Sequence, residues 1–148
     1  MALSLCSFSS CCSKKETTKQ AEQSQVKSFK ILINDHHMNI VKEKSMIIDT
    51  EEKLKEFYTV LNATRSPGFE TPKVDFTTQS VIVVAMGQKN TGGYSVSSPR
   101  YNLEQHTYEF YYIKPLPNAL VTMSMTTPGI VILANQPAQH ISIRVSEK

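Results

Sequence analysis

Two short stretches restrict the folds open to this chain of 148 residues more than anything else in it. Residues 81–86 read Val-Ile-Val-Val-Ala-Met and residues 130–133 read Ile-Val-Ile-Leu, with no polar side chain inside either run. A strand with one wet face alternates apolar and polar residues, whereas a continuous β-branched run suits a strand covered on both faces. Both segments are therefore expected as buried strands, the first beginning at Ser80 and ending at Gly87.

Around them the periodicity is mostly that of strands. Tyr94 and Val96 open another strand, Tyr108, Phe110 and Tyr112 alternate in the next, and Ile141, Ile143 and Val145 alternate with Ser142, Arg144 and Ser146. Phe29, Ile31 and Ile33 are followed by the turn-forming pair Asn34-Asp35 and then by Met38, Ile40 and Val41, which predicts a hairpin. One helix is expected after the short apolar segment 46–48. Asp49 is placed as its N-cap with Glu52 three residues on, and Leu54, Phe57, Tyr58 and Leu61 recur at i, i+3, i+4 and i+7. Asn62 and Ser66-Pro67-Gly68 end it. The fold class that follows is α+β and mostly β, with antiparallel sheets in a sandwich-like arrangement and one early helix.

Length supports a single domain. The net charge of +3 is small and its cations are scattered among acids, so nucleic acid is not expected as a partner. The longest apolar run falls far short of the roughly 18 residues that a membrane-crossing helix needs. Cys6, Cys11 and Cys12 all lie near the start of the sequence, which leaves the rest without a disulfide or a thiolate metal site. The segment Phe8-Ser9-Ser10-Cys11 resembles a bacterial lipobox, in which small residues precede a cysteine that becomes lipidated. The other reading of this segment is an unstructured stretch rich in Ser and Cys. Residues 13–27 are almost devoid of apolar side chains and read as a flexible polar tether. The expected division is a lipoprotein signal remnant at 1–12, the tether at 13–27, and a β-rich domain at 28–148.

The glycine-bracketed segment Gly87-Gln88-Lys89-Asn90-Thr91-Gly92-Gly93-Tyr94 joins two strand-like stretches. Gly92 and Gly93 can take positive φ and admit close backbone approach, and Tyr94 offers a ring with a polar tip of the kind enriched at interfaces. Two readings are open: a hairpin loop with Tyr94 filling the core, or a surface that touches a partner. Together with Pro72-Lys73-Val74-Asp75-Phe76 upstream and Met125-Thr126-Thr127-Pro128-Gly129-Ile130-Val131 downstream, this loop resembles the C-terminal domain of the PrcB-like protease-complex-subunit family, from about Ile48 to Val145. The resemblance implies a secreted or lipid-anchored envelope domain associated with a surface protease complex, without implying proteolysis by the chain itself. Residues 90–94 also resemble, locally, the Thr-Thr-Gly-Tyr loop of chagasin-type protease inhibitors.

Other chemistry finds little support in the sequence. His36 and His37 are adjacent and face opposite ways in an extended strand, with His106 and His140 remote, so no metal site is expected. The lysine of the glycine loop precedes the glycine pair and no helix follows, unlike a phosphate-binding loop. No Ser sits in a Gly-x-Ser-x-Gly elbow, and Asp75, the one nominee for a catalytic base, reads more simply as a turn cap. The expectation is a non-enzymatic envelope lipoprotein without cofactor, lipidated at Cys11 and bound to the membrane by that anchor alone. It would bind an envelope protein, a protease or its complex, through Lys89, Asn90, Thr91, Gly92, Gly93 and Tyr94. The alternative is a small-molecule or glycan-binding lipoprotein whose pocket is ringed by Tyr108, Phe110 or Tyr112.

Overall fold

The computed structural model describes residues 28–147. The proposed lipobox with Cys11 and the tether at 13–27 lie outside them. In chain order the elements are β1 (Phe29–Asp35), β2 (Lys44–Ile48), α1 (Glu51–Leu61), β3 (Ser80–Ala85), β4 (Ser95–Val96), β5 (Arg100–Asn102), β6 (Thr107–Ile113), β7 (Gly129–Ala134), a 3-10 turn at Ala138–His140, and β8 (Ser142–Glu147).

The two continuous apolar runs become β3 and β7, antiparallel neighbours at the centre of a sheet ordered β1-β7-β3-β2. Ile82 lies opposite Ile132 and Val83 opposite Val131. Both faces of this pair are covered, which accounts for the absence of polar residues in them. On one face Val81, Val83 and Val131 pack with Leu54, Phe57, Tyr58 and Leu61 of α1. On the other, Ile82, Val84, Ile130 and Ile132 meet Val96, Tyr108, Phe110 and Tyr112 of a second sheet. In that sheet β6 pairs antiparallel with β4 and β5 and parallel with β8. The result is a helix, a sheet and a second sheet stacked in three layers, the α+β sandwich that the patterning predicts.

Two local expectations are corrected. No hairpin spans 29–41: β1 pairs with β7, and its register shifts between Ile31 and Ile33. The Asp35 carboxylate accepts from the His37 amide at 2.7 Å, and the chain then turns Met38 fully into the core instead of returning along β1. Met38 N donates to Thr127 O, and Thr127 N to His36 O, so this segment is held by the approach to β7. The helix N-cap is Thr50 and not Asp49, because the chain stays extended through Thr50 and its hydroxyl accepts from Lys53 N at 3.4 Å. Asp49 instead pairs with the Lys53 ammonium at 2.6 Å. The four apolar helix positions are all buried, as expected.

Buried polarity in the core is fully partnered. Tyr108 Oη donates to Ser28 O at 2.9 Å and meets Gln136 Oε1, and burial pushes its phenol up to about 12. Among the described residues no buried side-chain nitrogen or oxygen lacks a hydrogen-bond partner.

Candidate functional site

The glycine loop starts at the exit of β3 and carries the chain from the first sheet to β4 of the second, so it is a crossing between sheets and not a hairpin turn. A second irregular segment, 114–128, lies alongside it and fixes its shape. Lys89 N donates to Thr126 O at 2.7 Å and Thr126 N returns the bond to Lys89 O at 2.9 Å. Thr126 Oγ1 donates to Thr91 O at 3.0 Å, and Gly92 N to Thr122 O at 2.9 Å. At the near end, Gln88 N donates to Val41 O at 2.9 Å.

The glycine pair is required by this fit. A Cβ on Gly92 would run into the Thr122 hydroxyl, and Gly93, at φ +86°, would bring one within 2.9 Å of Pro115 Cβ and 3.0 Å of Val121 Cγ1. Gly92 is thus buried under Thr122 and cannot present itself to a partner, while Asn90 and Gly93 are exposed. Lys89, Thr91 and Tyr94 are partly covered. The Tyr94 ring packs against the inter-sheet core, with Lys89 Nζ 5.7 Å from its centroid. His36 Nδ1 donates to the Tyr94 carbonyl at 3.2 Å. Tyr94 therefore combines both readings of the sequence, half in the core and half accessible.

What the sequence reading missed is the outer face of the bracing segment. Leu116, Leu120, Met123 and Met125 are 79, 105, 88 and 65% exposed, a cluster of large apolar side chains in open solvent beside the glycine loop. Met123 and Met125 alternate with Thr122, Ser124 and Thr126; Thr126 is buried with its hydroxyl on Thr91 O and the Thr122 carbonyl accepts from Gly92 N, while Thr122 and Ser124 are exposed like the methionines. Backbone bonds to the loop, and not a side-chain period, hold this segment in place. Nearby, the Lys114 ammonium binds Glu147 at 2.7 Å and, with Lys89, holds its carboxyl below the usual value.

The remaining candidates have structural employment. Tyr108 and Phe110 are wholly buried and Tyr112 is 5% exposed, so these rings fill the space between the sheets and do not ring a pocket, contrary to the ligand-binding alternative. Asp75 lies beyond the far end of β3. Its carboxylate accepts from the Thr77 hydroxyl and amide and from the Thr78 hydroxyl, and these bonds hold its pKa below the usual value. His106 meets the Tyr101 hydroxyl at 3.1 Å. Among the described residues no three His, Cys, Asp or Glu side chains converge into a cation site. A cavity of about 520 Å³ near the loop is bordered by His37, Asn39, Arg65, Gln88 and Met125. Its strongest donor is already engaged, since Arg65 binds Asp35 at 3.3 Å and the His37 carbonyl at 3.0 Å.

Fold and surface together describe a β-rich module whose interior polar groups are satisfied and whose largest unsatisfied feature is apolar side chains held outward beside a rigid loop. The family model described as PrcB C-terminal matches residues 80–133. The match runs from the start of β3 through the glycine loop, the second sheet up to β6, the bracing segment and most of β7. This part of the chain is accordingly similar to the PrcB C-terminal family. The matched stretch is narrower than the 48–145 over which the sequence resembles the family, and α1, β1, β2 and β8 fall outside it. No curated protein and no solved structure matches the chain.

Proposed function

We propose that this chain is a non-catalytic docking module of a cell-envelope protease complex, anchored by lipid at Cys11 and binding a protein partner at the glycine loop and the segment that braces it. The observation that carries the reading is the exposure of Leu120 and Met123 on a segment whose backbone is tied to the loop through Gly92 and Lys89. Large, flexible apolar side chains on a fixed backbone suit a protein interface, because little chain entropy is lost when they are buried. In this reading Asn90, Gly93 and the accessible side of Tyr94 form one flank of the contact. Gly92 and Thr126 shape it without touching the partner.

The test is affinity capture from envelope extract with the full chain, comparing wild type with Met123→Glu and identifying retained proteins by mass spectrometry. Retention of a protease or a protease-associated subunit by wild type, lost in Met123→Glu at unchanged melting temperature, is the expected result. Equal retention by both proteins would remove the contact from this face. The anchor is tested separately: metabolic palmitate labelling is expected in wild type and absent in Cys11→Ser.

A further inference from the structure

The first sheet ends at β2, which pairs with β3 on one side and with no strand on the other among the described residues. Backbone groups of Lys44–Ile48 that point away from β3 have no backbone partner there. Such an edge is a template for another strand. Beside it, β2 and α1 border a groove of about 540 Å³ with Ile40, Met46, Phe57 and the 52% exposed Val60 on its walls. Its charge is one-sided. Lys42, Lys44 and Lys53 line it with the single carboxylate of Glu56; Lys53 is paired with Asp49, whereas neither Lys42 nor Lys44 has an ion pair among the described residues. Glu43, between those two lysines, is directed elsewhere: its carboxylate acts with burial to raise the Tyr112 phenol above its ordinary value.

We infer that the β2 edge takes an extended, acidic segment of a partner protein as an added strand. Main-chain bonds to the free edge would provide the affinity. Alternate apolar side chains of the segment would enter the groove over Met46 and Val60, and its carboxylates would meet Lys42 and Lys44. A second copy of the chain fits less well, since its own β2, Lys44–Ile48, carries no carboxylate to meet these lysines. This surface is separate from the proposed docking face, so the two ideas fail independently: neither Leu120 nor Met123 lines the groove.

The test titrates the full chain with a fluorescein-labelled, end-capped hexapeptide alternating valine and glutamate, beside its lysine counterpart and a fully N-methylated version. Saturable binding of the glutamate peptide alone is expected, weakened about tenfold by the exposed-site substitution Lys44→Glu and unchanged by Met123→Glu. Equal binding of the N-methylated or lysine peptide overturns the inference, as does no binding of the glutamate peptide at millimolar concentration. A dimer in sedimentation that the glutamate peptide does not dissolve also overturns it and assigns the edge to a second copy.

Discussion

The β3–β7 pair and the glycine loop with its brace are adjacent in the chain and opposite in logic. In the strand pair, apolar side chains are hidden on both faces and the backbone is satisfied by regular ladders. In the loop and brace, a few cross-segment bonds hold the backbone, the Thr126 hydroxyl goes inward, and leucine and methionine go outward. The first region exchanges apolar exposure for stability. The second uses local hydrogen bonds to hold apolar side chains in water, an arrangement that stability alone does not explain. In the proposed reading stability and recognition are thus placed in different residues, and substitutions can separate them.

The largest effect is expected in the core. Phe110→Ala empties a fully buried position between the sheets and should cost about 3–5 kcal/mol in urea denaturation. A loss below 1 kcal/mol would mean that the inter-sheet packing is not what holds the fold. Next comes Gly93→Val, which forces a β-branched residue to φ +86° against Pro115 and Val121 and should cost about 1–3 kcal/mol. Capture of the partner should fall with it, because the brace is displaced. If stability is unchanged, the loop is less rigid than its bonds indicate.

A smaller effect concerns acid. The folded-state pKa of Asp75 lies below its ordinary 3.8, held there first by the Thr77 hydroxyl and then by the Thr77 amide and the Thr78 hydroxyl. Its contribution is therefore present above that ordinary value and is lost as pH falls through the folded-state value. Asp75→Asn should flatten the acid limb of the stability profile and leave capture unaltered. An unchanged limb would show that the turn at 75–79 contributes nothing through this carboxylate.

The same contrast decides what was legible in the sequence. The runs at 81–86 and 130–133 and the helical spacing of Leu54, Phe57, Tyr58 and Leu61 are periodic signals imposed by burial, and each element formed where its period placed it. β1 was visible as a strand, but its partner was not. The shift at Ile31/Ile33 disturbs the alternation, and β7 lies far along the chain, whereas Asn34-Asp35 advertises a local turn. Asp49 and Thr50 are both competent caps, and the extended backbone at Thr50, which brings its hydroxyl to Lys53 N, selects between them. The glycine loop could be recognised by its composition, yet Gly92 proved to be buried support. The exposed face at 116–125 escaped because apolar residues in an irregular segment normally signal burial. Here the segment is held instead by backbone bonds to the loop at Thr122 and Thr126.

The most direct measurement is a titration of the purified captured partner against wild type and Leu120→Asp/Met123→Asp, with urea midpoints recorded on the same preparations. A docking face separate from the core requires affinity to fall about tenfold or more while the midpoint stays within the range of ordinary surface substitutions. Unchanged affinity in the double variant, with both proteins folded, would contradict it.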